Sequence, residues 1–158
     1  MNIRVGNGYD VHKLAPGLEL WLGGIKIEHE KGSVAHSDGD VLIHAICDAI
    51  LGAAGLRDIG VHFPDTSPEF KGIDSKILLD RTVSLIAEKG YGIGNVDCVL
   101  CLQRPKIKNY IPQMIETLSK VMKVDASQVN VKATTTEKLG FVGREEGIEA
   151  YAVVILSK

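Results

Sequence analysis

The sequence predicts an α+β fold, a single-domain mixed β-sheet with helices layered on one face. Three observations carry this expectation. β-prone runs and helix-period runs interleave along the 158 residues. Hydrophobic residues make up 45% of the chain and charged residues 24%, the balance of a globular protein. No Pro/Ser linker, internal repeat or low-complexity tract divides the sequence, so residues 1–158 are expected to form one domain. A domain near this length buries roughly 70% of the surface its unfolded chain exposes, enough to fold without staples.

The elements follow in order. Asn2 to Tyr9 is expected as a strand, and Leu18–Leu22 with Ile25–Ile27 as a hairpin turning at Gly23-Gly24. From Asp40 to Ala54, Val41, Leu42, Ala45, Ile46, Ala49, Ile50 and Ala53 recur at helical steps, and Gly55 would stop that helix. A second helix should begin near Asp74 or Ser75, carry Ile77, Leu78, Val83, Leu85 and Ile86 inward, and end at Gly90. Asn95 to Gln103 reads as a strand. Ile111 to Met122 reads as a third helix, with Pro112 tolerable only in its first turn. Val129–Thr135 and Ile148–Leu156 supply the last two strands. The segment from Gly55 to Gly72 fits neither period; it could be a lid over a site or a solvated connection.

Composition narrows the function classes. A formal net charge of −2 and the lack of a dense Lys/Arg run offer no general attraction for a nucleic-acid backbone or an anionic membrane. The first residues have no apolar signal core and no stretch is long enough to span a bilayer, so a cytoplasmic protein is expected. Cys98 and Cys101 have C-x-x-C spacing, but within a strand a step of three places them on opposite faces, which favours packed, reduced thiols over a zinc or redox pair.

The residues suited to chemistry fall into three groups. Asp10 and His12 are two apart at the end of a strand and so in extended geometry share a face, and His44 comes from the first helix. A carboxylate with two imidazoles is a ligand set Zn²⁺ accepts, with a fourth position left for substrate. Before the helix lies the turn-forming run His36-Ser37-Asp38-Gly39-Asp40, in which Ser37 and Asp40 have the spacing of a capping box. Asp40, His44 and Asp48 then form a polar stripe on an otherwise apolar helix, costly to bury without partners. Asp48 could hold the second ring nitrogen of His44 or salt-bridge a neighbour. The third group is Lys132 to Phe141, where a strand runs out into Thr134, Thr135, Thr136, Glu137 and a glycine. Hydroxyl and backbone N–H groups there can hold phosphate oxygens. Glu137 is the kind of hard ligand Mg²⁺ uses beside phosphates, and Arg144 adds a cation.

Taken together, Gly8-Tyr9-Asp10-Val11-His12, the run Ala35 to His44, Asp58 to Asp65 and Lys132 to Phe141 resemble the 2-C-methyl-D-erythritol 2,4-cyclodiphosphate synthase family. Any one of these motifs is weak; four in order are specific. The resemblance implies a homotrimer with sites between neighbouring subunits. Its substrate would be a cytidine diphosphate compound, 4-diphosphocytidyl-2-C-methyl-D-erythritol 2-phosphate, cyclised with release of CMP. By match, Asp10, His12 and His44 would hold Zn²⁺, and Glu137 a Mg²⁺ or Mn²⁺ ion. His36 and Thr135 match positions that stabilise the transition state. Asp58, Gly60, Phe63 and Asp65 would line the methylerythritol side, with Ser37 and Ile59 also contacting substrate. Leu102, Pro105, Lys106, Ile107 and Lys108 would receive cytosine, and Ala133, Thr134, Thr136, Phe141 and Arg144 would complete the substrate contacts. Ser67 stands where many relatives carry a second aspartate, and Tyr151 where many carry a glutamate paired with the arginine matching Arg144. The same metals and donors could instead activate water in a phosphohydrolase, or the trimer could bind an isoprenoid diphosphate without turnover.

Overall fold

Why the first strand and the first helix come together is written in two glycines. In the computed structural model, which describes residues 2–158, β1 (Ile3–Pro16) turns Gly6, Gly8, Asp10 and His12 toward α1 (Val41–Ala53). A Cβ added to Gly6 would stand 1.9 Å from the Ala49 carbonyl oxygen, and one added to Gly8 1.9 Å from that of Ala45. Only glycine permits this approach of backbones. The alanines at every fourth position of α1 are the matching half of the contact.

β2 (Leu20–Leu22) and β3 (Ile25–Ile27) form a separate two-stranded hairpin, and β4 (Lys31–Val34) pairs with the far end of β1. After α1 come a one-turn helix, α2 (Ile59–His62), and the long α3 (Ser75–Glu88). Next are β5 (Gly92–Cys101), α4 (Ile111–Met122), β6 (Val129–Thr134), the short α5 (Gly140–Gly143) and β7 (Gly147–Ser157). The main sheet runs β4-β1-β7-β5-β6, with β5 and β6 parallel and the other pairs antiparallel. It is a mixed sheet, as expected.

The core lies between this sheet and the helices. Ile148, Ala150, Ala152, Val154 and Leu156 of β7 and Val96, Cys98 and Leu100 of β5 point into it beside Leu42, Ile46 and Ile50 of α1. The other face of the sheet leaves Val5, Tyr9, Val11, Tyr151 and Val153 exposed. Among the described residues no helix is long and apolar enough to cross a membrane.

Several expectations are corrected. β1 does not end at Tyr9 but continues to Pro16, so Asp10 and His12 sit within a paired strand. β4 is an additional strand whose Lys-Gly-Ser-Val sequence carries no apolar alternation. Ile77 is 46% exposed; Leu79 and Thr82 take the inward positions of α3, because the buried stripe runs through Ser75, Leu78, Leu79, Thr82 and Ile86. The Gly55–Gly72 segment is structured by α2 and a 3-10 turn at Pro68–Phe70. The three cysteines, by contrast, are free and buried as expected.

Candidate active site

Beyond Gly8 the glycine row of β1 passes the N-terminal half of α1, and there Asp10 and His12 meet His44. Asp10 Oδ2 lies 3.1 Å from His44 Nδ1 and 3.2 Å from His12 Nδ1. The imidazoles are tilted, with ring centres 5.1 Å apart. One donor atom from each residue lies within 4.8 Å of the others, the only such group among the described residues. The three side chains are 27%, 10% and 14% exposed for Asp10, His12 and His44. Burial pushes the Asp10 carboxyl up, but the two imidazoles outweigh burial and take it down to about 2. Burial likewise pulls His44 down, and the Asp10 carboxylate reverses this, leaving it raised.

His12 Nδ1 decides what the cluster fits. It is buried and makes no well-directed hydrogen bond despite its closeness to Asp10. An orphaned ring nitrogen facing a carboxylate and a second imidazole matches a tetrahedral cation site with one position open. Glu137 lies outside this cluster. It is exposed and stands in a left-handed turn, φ +53°, with Lys138 at +64°.

The polar stripe on α1 resolves into three separate tasks. Asp40, fully buried, caps the helix by accepting from Ile43 N–H and also takes the Gly23 and Gly24 N–H groups at 3.0 and 2.6 Å. It fixes the hairpin turn as well as the helix, so the Ser37–Asp40 capping box is corrected to Asp40 alone. Ser37 Oγ accepts instead from Gly39 N–H and lies 3.2 Å from His44 Nε2. Asp48 does not hold His44 either; it accepts the Ile59 N–H at 2.7 Å and starts α2. The second nitrogen of His44 faces Ser75 Oγ at 3.0 Å, a partner that sequence reasoning missed.

A cleft of about 390 Å³ opens beside the cluster, and His12, His36, Ser37, His44, Ile59, Gly60, Phe63 and Asp65 line it. Phe70 and Ile73, not singled out from the sequence, also line it, together with Leu78, expected only as a core residue. His36 Nε2 is 3.1 Å from the Ser67 carbonyl, and Gly72 N–H donates to the His36 carbonyl, so the Gly55–Gly72 segment is fastened to His36 along the wall of this cleft. Asp58 caps α2 by accepting from Val61 N–H.

A second pocket of about 180 Å³ lies at the end of β5 and β6. Leu102, Pro105, Lys106, Ile107, Lys108, Ala133, Thr134 and Thr135 line it. Leu102 and Ile107 are buried and form its floor. Thr136, Glu137, Phe141 and Arg144 line neither pocket. Thr136 Oγ1 donates to the Leu139 carbonyl, Glu137 N–H donates to Thr135 Oγ1, and Arg144 grips Glu146 through two nitrogens. Asp10, Ala150, Leu100 and Ala133 occupy one row across the sheet. Three strand spacings therefore separate the two sites within one chain, about 14 Å.

Comparison with known proteins shows the family of the chain. The model of the YgbB family matches residues 3–157. The chain is 66% identical over 158 residues to the 2-C-methyl-D-erythritol 2,4-cyclodiphosphate synthase of Phocaeicola vulgatus, covering 100% of this chain and 99% of that one. It is 63% identical to the Bacteroides thetaiotaomicron protein of the same name, with the same coverage. A solved structure of Plasmodium falciparum IspF in a CDP complex aligns with a TM-score of 0.86 at 42% identity, over 98% of this chain and 96% of that one.

Proposed function

The chain belongs to the YgbB family, and from that premise we propose that it acts as its synthase relatives do. It is a phosphorus–oxygen lyase of isoprenoid biosynthesis. It converts 4-diphosphocytidyl-2-C-methyl-D-erythritol 2-phosphate to 2-C-methyl-D-erythritol 2,4-cyclodiphosphate and CMP. The observation that carries this reading is the orphaned His12 Nδ1 facing Asp10 and His44 at the edge of the cleft lined by His36, Gly60, Phe63 and Asp65.

In the reaction an oxygen of the 2-phosphate forms a bond to the β-phosphorus, and the bond from that phosphorus to the bridging oxygen breaks. CMP leaves with the bridging oxygen and its electron pair. No protein nucleophile is required, so the chain's contribution is positioning and charge. Zn²⁺ held by Asp10, His12 and His44, with Mg²⁺ or Mn²⁺ at Glu137, supplies charge neutralisation for the phosphate oxygens when bound. His36 and Thr135 donate to the oxygens on which negative charge develops. Ile59, Gly60, Phe63 and Asp65 hold the methylerythritol, and the segment fastened to His36 keeps water out. The floor of Leu102 and Ile107 takes the cytosine, consistent with the CDP carried by the Plasmodium falciparum relative.

His36 and Thr135 line different pockets of one chain, so a complete site needs two chains. A homotrimer meets this requirement, with the metal cleft of one subunit facing the Leu102–Thr135 pocket of its neighbour. The exposed Val5, Tyr9, Val11, Tyr151 and Val153 supply an apolar surface for that association. No nucleic acid or membrane is needed. The test is to compare the wild type with His44→Ala for zinc content, mass in solution and CMP release. A zinc-loaded trimer releasing CMP, against a folded variant that has lost zinc and nearly all turnover, is expected. A variant with full zinc and full turnover would overturn the assignment.

A further inference from the structure

His44 reaches the cluster through Nδ1, and what stands behind its other nitrogen sets whether Nδ1 has a lone pair to give. The chain of partners can be followed outward. Asp38 accepts at both carboxylate oxygens, taking the Ser75 backbone N–H at 2.8 Å on Oδ2 and the Ser75 hydroxyl at 2.5 Å on Oδ1. The Asp40 N–H also donates to Oδ1, at 3.1 Å. With a backbone N–H donating to each of its oxygens, Asp38 is the acceptor toward Ser75, so the Ser75 hydroxyl hydrogen is committed to it. Ser75 Oγ can then only accept from His44 Nε2, 3.0 Å away. Nε2 therefore carries a proton, and Nδ1, 3.1 Å from Asp10 Oδ2 and facing His12, is the nitrogen left to coordinate a cation in place of its hydrogen bond to Asp10.

We propose that Asp38 and Ser75 are positioning residues that fix the tautomer and ring angle of His44 and thereby raise the affinity of the Asp10, His12, His44 site for its metal. The placement supports the assignment. Ser75 is completely buried at the first turn of α3, thirty-one positions from His44 in sequence, and is tied to Asp38 by both backbone and side chain. A serine needed only to begin that helix would be redundant, because Asp74 already caps it by accepting from Lys76 N–H. Ser37 Oγ, 3.2 Å from Nε2, is free to adapt because no carboxylate takes its hydrogen. Partners behind ligating histidines of this kind typically change metal affinity 10–100-fold.

The inference rests on the reading of Asp10, His12 and His44 as a metal site, and the experiment separates the two. Affinity for Co²⁺ would be measured by chelator competition, with the visible absorption bands of the bound ion, for the full-length wild type, Ser75→Ala, Ser75→Thr and Asp38→Asn. Ser75→Ala should weaken binding about 10–100-fold and shift the bands. Ser75→Thr, which keeps the acceptor, should restore both. Asp38→Asn frees the Ser75 hydroxyl to donate to His44, favours the opposite tautomer and should also weaken binding. Nitrogen-15 shifts of His44 in the metal-loaded wild type should show a protonated Nε2 and a coordinated Nδ1, a readout independent of whether any variant folds. Wild-type affinity and bands in both Ser75→Ala and Asp38→Asn, or a coordinated Nε2, would overturn the relay alone. A wild type that holds no Co²⁺ would overturn the metal site itself.

Discussion

Gly8 lies so close to Ala45 that a Cβ on the glycine would stand 1.9 Å from the alanine carbonyl oxygen and 2.8 Å from the Ala49 nitrogen. Strand and helix backbones touch here, and two residues later the same row delivers Asp10 to His44. Gly8→Ala should therefore damage fold and site together. Pushing α1 away should cost about 3 kcal/mol of stability and loosen metal binding. Urea denaturation and metal titration on the same sample would check this; wild-type values in both would show that the close approach is dispensable.

Asp40 ties the hairpin to α1 by accepting three N–H groups, those of Gly23, Gly24 and Ile43. Asp40→Ala would leave these donors unpaired in a completely buried place, at a cost of about 3 kcal/mol or more. Hydrogen exchange at Gly23 and Gly24 should accelerate well before global unfolding.

Burial pushes the thiols of Cys47 and Cys98 up to about 12. The folded value lies above the ordinary one near 9, so the native state binds the thiol proton more tightly than the unfolded chain. Their contribution to stability is complete below pH 9 and lost as pH rises from there toward 12. Two outcomes are expected: negligible labelling by a thiol reagent in the native protein at pH 8, and a fall in denaturation midpoint between pH 9 and 12. Rapid native labelling of Cys98 would contradict the packing described.

Ala133 lines the smaller pocket between Leu102, Ile107 and Thr135. Ala133→Leu should fill part of it without touching the Asp10 cluster. The expected result is a KM raised about tenfold, equivalent to about 1.4 kcal/mol of lost binding, with metal content unchanged. An equal loss of metal would mean that the two pockets are not independent within the chain.

How much of this was legible in the sequence depends on what signals burial. α4 was read to the residue because its apolar stripe is strong and Pro112 falls in its first turn. α1 was read almost as well, from its alanine and isoleucine periodicity. The sequence ends β1 too early, at Tyr9, because its buried side is Gly6, Gly8, Asp10 and His12, which hides no apolar side chain until Leu14. Close backbone approach leaves no hydrophobic trace, and a polar site interrupts the alternation. β4 escaped notice for a related reason: its Gly32 packs against the Glu19 backbone, where a side chain could not fit.

The ligand cluster was legible as types and spacing, but its supports were not. Nothing local marks Asp48 as the acceptor for Ile59 rather than for His44, or Ser75 as the residue behind that histidine. Those contacts join segments eleven and thirty-one residues apart, and only the packing of α1 against α3 and α2 creates them. The motifs near His36 and Thr135 were equally visible. Their separation across three strands was not, because it follows from the strand order.

The central claim is an internal attack on phosphorus by the 2-phosphate rather than by water. Its most direct test is phosphorus-31 NMR of the products formed from 4-diphosphocytidyl-2-C-methyl-D-erythritol 2-phosphate in water enriched in oxygen-18. CMP and a cyclic diphosphate with two mutually coupled phosphorus signals, neither containing oxygen-18, are the predicted products. Inorganic phosphate, or a linear bisphosphate labelled with oxygen-18, would show that water rather than the 2-phosphate is the nucleophile and would contradict the account.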